Sequence, residues 1–562
     1  MNNPDQNIPE TSIAGLKQNW RQDLQAGFLV FLLALPLCLG VALASGFPTA
    51  AGIIPAVIGG LLVSRINGTY LTITGPSAGL IVVLFAAVEA LGEGDIMVGY
   101  RLTLAAIVIS GILQIISGFY RAGKLGALFP VSVIHGMLAA IGIIIMAKQS
   151  HIMLGINTDF GSVFATLEQI PHSILHPSPG IALIGISGLA ILILWPLLKH
   201  PTLQKIPAPL VVLVCGMALG QYYGVQHEHI HLIFLGQAYL EGHEHLIAPE
   251  YLVDIPDQLS SFFYFPDFSK VMTSEFWGAV ISIFLVGSLE SLVSAVAIDK
   301  LDPYKRESDL DRDLMAVGAG NMLSGFIGGL PMISEIVRSS ANIENGAKTG
   351  WANFSHGLIF LVFVLLFPHF IHNIPLATLA ALLVYTGYRL ADPKNFKQVL
   401  DIGVDQLWLF VITIIGVLAT DLLIGVTLGI IAKLAIELLR GVWPRNLFKI
   451  YFDIQRPDDE TIKVTLFGSA LFSNFLPFKN ALSKIEPGKT IILDFSKGYL
   501  IDYSVMQFID DFSRDYQAHG GKCQQIAHAL KKFSDNKLAA RLMTADDREI
   551  LMPDNEESEE KK

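Results

Sequence analysis

Two stretches of this chain put hydroxyls, a cation and helix starts where an otherwise apolar sequence is interrupted. The first is Thr69-Tyr70-Leu71-Thr72-Ile73-Thr74-Gly75-Pro76-Ser77-Ala78-Gly79. The second is Gly328-Gly329-Leu330-Pro331-Met332-Ile333-Ser334-Glu335-Ile336-Val337-Arg338-Ser339-Ser340. In each, Gly and Pro break the pattern before a helix resumes, and Pro at a helix start costs nothing because its missing N–H would have no partner there. A helix that begins at such a break carries free N–H groups and partial positive charge. Two such starts facing one another would hold an anion. The candidate binding residues are Thr74, Gly75, Pro76, Ser77 and Ala78 in the first stretch, and Ser334, Glu335, Ile336 and Arg338 in the second. Thr74, Ser77 and Ser334 would donate hydroxyls, and Arg338 would add a full charge one turn into its helix. The competing reading makes the breaks plain kinks and lets Arg338 pair with a carboxylate.

A third candidate is Glu290, mid-way along the apolar run Val286-Gly287-Ser288-Leu289-Glu290-Ser291-Leu292-Val293-Ser294. A carboxylate at that depth is costly unless paired or protonated. It could neutralise Arg338, carry a coupling proton, or bind a cation together with Ser294 one turn on. A fixed ion pair without a part in turnover is the alternative. Glu335 could face either the site or the inner surface.

The elements that must position these groups are membrane helices. Of the 562 residues, 52% are hydrophobic and only 15% charged, against about 25% charge in soluble domains. That excludes an ordinary soluble enzyme and a disordered chain, and the net charge of -11 argues against a nucleic-acid partner. Candidate spans of suitable length lie near 22–46, 50–66, 76–92, 99–120, 128–148, 178–198 and 206–223, then near 276–299, 313–329, 334–346, 351–371, 376–390, 405–421 and 422–440. With the N-terminus inside, Lys17, Arg21, Arg65, Arg121, Lys300, Arg306, Arg389, Arg440 and Arg445 fall on the inner side, while Arg101, Lys148 and Lys270 are almost alone outside. The expected division is therefore a cytoplasmic N-terminus at 1–21, a first seven-helix repeat at 22–223, an outer loop at 224–275, a second seven-helix repeat at 276–441, a cytoplasmic α/β domain at 447–549 and an acidic tail at 550–562. No cleavable signal peptide is expected, because the first apolar run is too long for one. In the α/β domain, Thr461–Gly468 and Thr490–Phe495 read as strands and Asp502–Tyr516 as an amphipathic helix. The two breaks fall at the third place of each repeat, the sequence mark of a midplane site between inverted repeats.

Taken in order, Leu35-Pro36 with Ala42-Leu43-Ala44-Ser45-Gly46, Thr74-Gly75-Pro76, Glu290-Ser291-Leu292-Val293-Ser294 and the run Gly328–Thr349 resemble the SulP anion-transporter family, also called solute carrier family 26. The resemblance covers nearly the whole chain and includes the C-terminal STAS-like domain. It implies a polytopic α-helical fold of 14 transmembrane segments in 7+7 inverted repeats, with core and gate domains. It also implies an anion held between the third and tenth helices, alternating access, a homodimer, and a bacterial inner-membrane location with both termini cytoplasmic. Family substrates include sulfate, bicarbonate, chloride, oxalate and dicarboxylates.

Two departures shape the expectation. Many members carry Gln after the first-span Pro; this chain has Leu37 there, and in lacking the Gln it is similar to the cyanobacterial sodium–bicarbonate members. Those members build a sodium site from a carboxylate like Glu290 and small residues of the tenth helix, and Arg338 stands at one of those small positions. A guanidinium there would repel sodium. The expected function is thus a secondary transporter of small inorganic anions of the bicarbonate or sulfate class, sodium-independent and proton-coupled through Glu290. The alternatives are sodium-coupled bicarbonate symport, anion exchange, an uncoupled channel, and dicarboxylate transport. In the α/β domain, Asp502-Tyr503-Ser504-Val505 replaces the phosphorylatable Asp-Ser-Ser-Gly of anti-sigma-factor antagonists, which points to scaffolding, dimer contact or partner docking.

No cofactor is expected, and no Walker motif is present to use ATP. A membrane-bound enzyme is disfavoured because no nucleophile–base constellation is visible. Cys38, Cys215 and Cys523 lack metal or disulfide spacing, and Cys38 and Cys215 read as small core residues. His227-Glu228-His229-Ile230-His231 and His243-Glu244-His245 could bind zinc, though a solvated loop is the commoner case.

Overall fold

The computed structural model describes residues 8–123, 130–156, 163–198, 206–222, 233–234, 237–238, 251–253, 263–420, 422–486, 488–518, 520–526 and 530–543. The His-rich runs at 227–231 and 243–245 and the tail at 550–562 lie outside the described residues.

The chain opens with α1 (Ile13–Ala44), begun by Ser12, whose hydroxyl accepts from the Ala14 N–H. The helical run Thr49–Ile66 follows, containing α2 (Ile53–Ile58) and α3 (Ser64–Ile66). After strand β1 (Ile73–Pro76) come α4 (Ile81–Gly92), α5 (Ile96–Phe119), α6 (Val131–Met153), α7 (Val163–Leu175), α8 (Pro179–Leu194) and α9 (Ala208–Tyr222). A short hairpin, β2 (Ile233–Phe234) with β3 (Gln237–Ala238), precedes α10 (Ser274–Leu301) and α11 (Leu310–Phe326). Strand β4 (Met332–Glu335) leads straight into α12 (Ile336–Glu344). Then follow α13 (Trp351–Leu366), α14 (Pro368–His372), α15 (Leu376–Leu390), α16 (Pro393–Ile402), α17 (Val404–Ala419) and α18 (Leu422–Leu439).

Among the described residues, seven helical segments are long and apolar enough to cross a bilayer, and four more are apolar but shorter. All fourteen candidate spans are wholly or partly helical. The limits differ where local chemistry is stronger than hydropathy. Helix α1 starts at Ile13 because Ser12 caps it there, nine residues before the apolar run. The β-prone Thr69–Thr74 stretch makes a strand of only four residues, displaced to Ile73–Pro76. Helix α7, between two spans, carries Pro171 and was not among the candidates.

Contacts divide the chain into two compact units, Met1–Gly126 with Ile141–Ala391, and Ala127–Ala140 with Asp392–Lys562. In the first unit, glycines let helices touch backbone to backbone. A Cβ on Gly111 of α5 would collide with the Gly318 carbonyl of α11, and one on Gly60 would collide with Gly357 of α13. Asp23 of α1 accepts from the Lys348 and Thr349 N–H groups at 2.8 and 3.2 Å and from the Thr349 hydroxyl at 2.6 Å, tying the start of α13 to α1.

In the second unit, the first part of α6 packs on α17, where Ser132 donates to Gln406 at 2.7 Å. The sheet of this unit contains β5 (Tyr451–Gln455), β6 (Thr461–Ala470), β7 (Thr490–Asp494), β8 (Gly498–Ile501), β9 (Lys522–Ile526), β10 (Leu530–Lys532) and β11 (Arg541–Met543). Its order is β10-β11-β8-β6-β7-β9, with β5 antiparallel to β6. Helices α19 (Leu476–Leu482) and α20 (Tyr503–Ala518) cover it through Phe478, Leu482, Val505, Met506 and Ile509. Helix α20 starts one residue later than its apolar pattern suggests, because Asp502 is its cap and accepts from the Val505 N–H at 2.9 Å.

Candidate functional site

The two sequence breaks meet. Strand β1 pairs antiparallel with β4 in the register Ile73–Glu335, Thr74–Ser334, Gly75–Ile333 and Pro76–Met332. Each strand runs on into a helix, so α4 and α12 leave from opposite ends of a shared two-stranded ribbon. Their N-termini face each other across its length, about 10 Å at the usual strand rise. The ribbon is buried at every position except Glu335, which is partly covered.

Side chains from three helices lock the ribbon. Ser339 of α12 accepts from the Ile73 N–H at 2.8 Å, and Asn342 donates to the Leu71 carbonyl at 2.9 Å. Asn353 of α13 donates to the Thr74 hydroxyl at 3.0 Å. Asn321 of α11 accepts from the Met332 N–H and donates to Gln114 of α5 at 2.8 Å. A register fixed on both faces holds each N-terminus to one position, which an anion site requires.

At the first N-terminus, Ser77 is the cap and accepts from the Gly79 N–H at 3.0 Å. Its own hydroxyl donates to Glu290 Oε1 at 2.7 Å. Ala78 begins the single turn of 3-10 helix, Ala78–Leu80, that precedes α4. Gly79 leaves room here for the Glu290 carboxylate, which a Cβ would displace. Glu290 Oε2 is covered and has no hydrogen-bond partner. Ser294, one turn further along α10, is also buried.

At the second N-terminus the cap is Glu335, which accepts from the Arg338 N–H at 2.7 Å. Ile336, the first residue of α12, is 39% exposed and is the open edge of the site. The Arg338 side chain turns back over the ribbon. Its Nη2 donates to the Pro76 carbonyl, its Nη1 approaches Cys38 Sγ at 3.6 Å, and its Nε is buried without a hydrogen bond. Nη1 also occupies the space a Cβ on Gly75 would need. Nε lies 3.8 Å from Glu335 Oε2.

The structure therefore gathers Thr74, Gly75, Pro76, Ser77, Ala78, Ser334, Glu335, Ile336, Arg338 and Glu290 around one ribbon. It corrects three expectations. Arg338 and Glu290 form no ion pair: the guanidinium rests on Gly75 and Pro76, the carboxylate on Gly79. The hydroxyls expected as anion donors are already engaged, Ser77 with Glu290, Ser334 with Asp313 at 3.0 Å, and Thr74 with Asn353. The α12 N-terminus is partly filled by its own Glu335. Cys38, read as plain core, touches the guanidinium from α1. Asp313, Asn321 and Asn353 were not singled out, since an acid in a first helical turn and isolated amides look ordinary in sequence. Among the described residues, no group of three His, Cys, Asp or Glu side chains is placed to hold a metal.

Residues 20–415 match the sulfate permease family. A Bacillus subtilis protein named for sulfate transport, YvdB, is 24% identical over 516 residues, covering 90% of this chain and 91% of that one. The bicarbonate transporter BicA of Picosynechococcus is 25% identical over 415 residues, covering 74% of this chain and 69% of its own. The inward-facing structure of the murine anion transporter Slc26a9 superposes with a TM-score of 0.62 at 16% identity, over 90% of this chain and 85% of that chain. The chain belongs to the sulfate permease family; it is a membrane-embedded transporter and not an enzyme.

Proposed function

We propose that this member of the sulfate permease family carries a small inorganic anion, of the bicarbonate or sulfate class, across a bacterial inner membrane by alternating access. Its termini and α/β domain lie in the cytoplasm, and it works as a homodimer. The observation that carries this reading is the ribbon itself, where two helix N-termini converge with one buried guanidinium whose Nε makes no hydrogen bond, Glu335 lying 3.8 Å away. An anion accepting from Arg338 Nε and from N–H groups at the α4 start would be held without covalent chemistry.

Glu290 is read as the coupling carboxylate. Among the described residues no cation pairs with it; it touches the site through Ser77, and its Oε2 is unsatisfied. A proton would supply that missing partner. Sodium is the second reading, favoured by one observation: Arg338 is turned towards Pro76 and away from Glu290, so its charge does not screen the carboxylate from a cation.

The test is uptake into liposomes driven by a pH gradient or by a sodium gradient, in wild type and Glu290→Gln. The proposal expects acceleration by an inward proton gradient, absent in Glu290→Gln, and no response to sodium. Sodium-driven uptake abolished by Glu290→Gln would replace proton coupling with sodium coupling.

A further inference from the structure

Asp313 in the first turn of α11 is fully buried. Its Oδ2 accepts the Ser334 hydroxyl at 3.0 Å, and its Oδ1 has no well-formed hydrogen bond although the Thr69 side chain lies against the carboxylate. The charged groups around it offer no neutralisation. Asp309 on its own helix and Asp299 from α10 are acids, the latter bonded to Ser308. Arg312 of α11 donates to the Ile66 carbonyl, and Arg65 of α3 lies over the Trp351 ring at 3.8 Å. Ser291 of α10 accepts from the Ser334 N–H at 3.1 Å, and from the segment before β1 come the hydroxyls of Thr69 and Thr72. Among the described residues, Asp313 is thus a buried carboxylate without a counter-ion, an arrangement that costs several kcal/mol unless the group takes up a proton.

Two serines of this region each donate to a buried carboxylate, one as the cap that follows β1 and one from within β4. Ser77 donates to Glu290 and Ser334 donates to Asp313, and each carboxylate keeps one oxygen unsatisfied. A hydroxyl has one proton to give. While it gives it to a carboxylate, it shows an anion only lone pairs. Once the carboxyl is protonated, its own O–H can donate to the serine oxygen, and the serine proton is released towards the anion. The same step removes a negative charge beside the site.

We propose that Asp313 is a second proton-binding residue of the transport site, positioning the Ser334 hydroxyl for the anion only when protonated. This rests on the reading of the ribbon as the anion site and adds to proton binding at Glu290. The proton is taken from water on the side to which the site is open and is returned to water with the anion; no covalent bond forms or breaks.

The experiment is calorimetric titration of the full-length protein with sulfate, in two buffers of equal pH and different ionisation enthalpy, which counts protons taken up per anion bound. Wild type is expected to take up protons. Asp313→Asn and Glu290→Gln should each take up fewer, and Asp313→Asn should bind sulfate roughly ten-fold more tightly than wild type at pH 8, the size expected for one freed hydrogen bond to a charged group. Ser334→Ala, which keeps the carboxylate but cuts its link to the anion, should also lower proton uptake, and it decides the matter if Asp313→Asn does not fold. Unchanged uptake in Asp313→Asn and Ser334→Ala, with loss in Glu290→Gln, would overturn this inference and leave Glu290 coupling intact. No proton uptake by wild type would overturn both. Sulfate binding that needs sodium, with the need abolished by Asp313→Asn, would make Asp313 a cation site and overturn it as well.

Discussion

Arg338 brings a full positive charge to the ribbon; its two Nη atoms are engaged with Pro76 and Cys38, while Nε makes no hydrogen bond and lies 3.8 Å from Glu335 Oε2. The planar fork is what allows one side chain to fix the α4 start and still offer a donor. Arg338→Lys should therefore fail nearly as badly as Arg338→Ala, each raising the KM for anion roughly ten- to a hundred-fold, the range for one charged hydrogen bond; a lysine variant with wild-type KM would show that charge alone suffices. The glycines carry a sharper prediction. Gly79→Ala and Gly75→Ala place a methyl where Glu290 and Arg338 now sit, and both obstacles are ends of flexible side chains. Both variants should fold and insert normally. Gly79→Ala should change the pH dependence of uptake, and Gly75→Ala the affinity for anion, as initial rates across a pH and concentration series will show. Most of the candidate binding residues were legible because Gly-Pro breaks stand out in an apolar chain. Asp313 was not, since an acid in the first turn of a helix is ordinary dipole compensation. Cys38 was not, since a thiol in an apolar run is usually packing.

Two short strands 260 positions apart by their paired residues Thr74 and Ser334 form the element on which the proposed site depends. Nothing in either stretch specifies its partner or its register. Those are set by Ser339, Asn342, Asn353 and Asn321, whose partners lie in other helices. The inverted-repeat pattern put the two breaks at one site as facing helix starts, but neither the strand pairing nor its register was expected. At the end of the ribbon, Glu335→Ala removes the α12 cap and should cost about 1 kcal/mol of stability. A second buried element is charged. In the second unit, Lys433 of α18 pairs with Glu437 and lies 3.7 Å from Asp502, which also accepts from the Phe472 N–H at 2.8 Å. Burial pushes the Asp502 carboxyl above its ordinary range, although Lys433 opposes this. Lys433→Met would leave two buried carboxylates with less compensation and should cost about 3–5 kcal/mol, read as a lower midpoint for thermal unfolding. An unchanged midpoint would mean that water reaches the cluster.

The molecule as a whole joins the helices of a transporter to an α/β domain, and the transition after Arg445 was visible because charge and strand periodicity return together. The compact units do not follow the repeat boundary: residues 127–140 and 392–439 group with the sheet. Hydropathy marks what faces lipid and says nothing about which helices pack on one another, so that division was not readable. The α/β domain should also have a pH signature. Burial alone would raise the Asp494 carboxyl, but the Lys463 ammonium at 2.8 Å and hydrogen bonds from Ser496 hold it below its ordinary value. The unfolded chain then binds more protons than the folded one in that range. The stability due to this pair is present above the ordinary carboxylate value and is lost as pH falls through the folded one. Lys463→Met should flatten that acid limb of the unfolding curve. The measurement that tests the central claim most directly is side-by-side uptake of labelled bicarbonate and sulfate by liposomes holding the purified protein, with and without Arg338→Ala. The ribbon account predicts saturable uptake of at least one of the two anions, lost in the variant. Normal uptake by Arg338→Ala would contradict it, because the anion would then pass without the guanidinium on which the site is built.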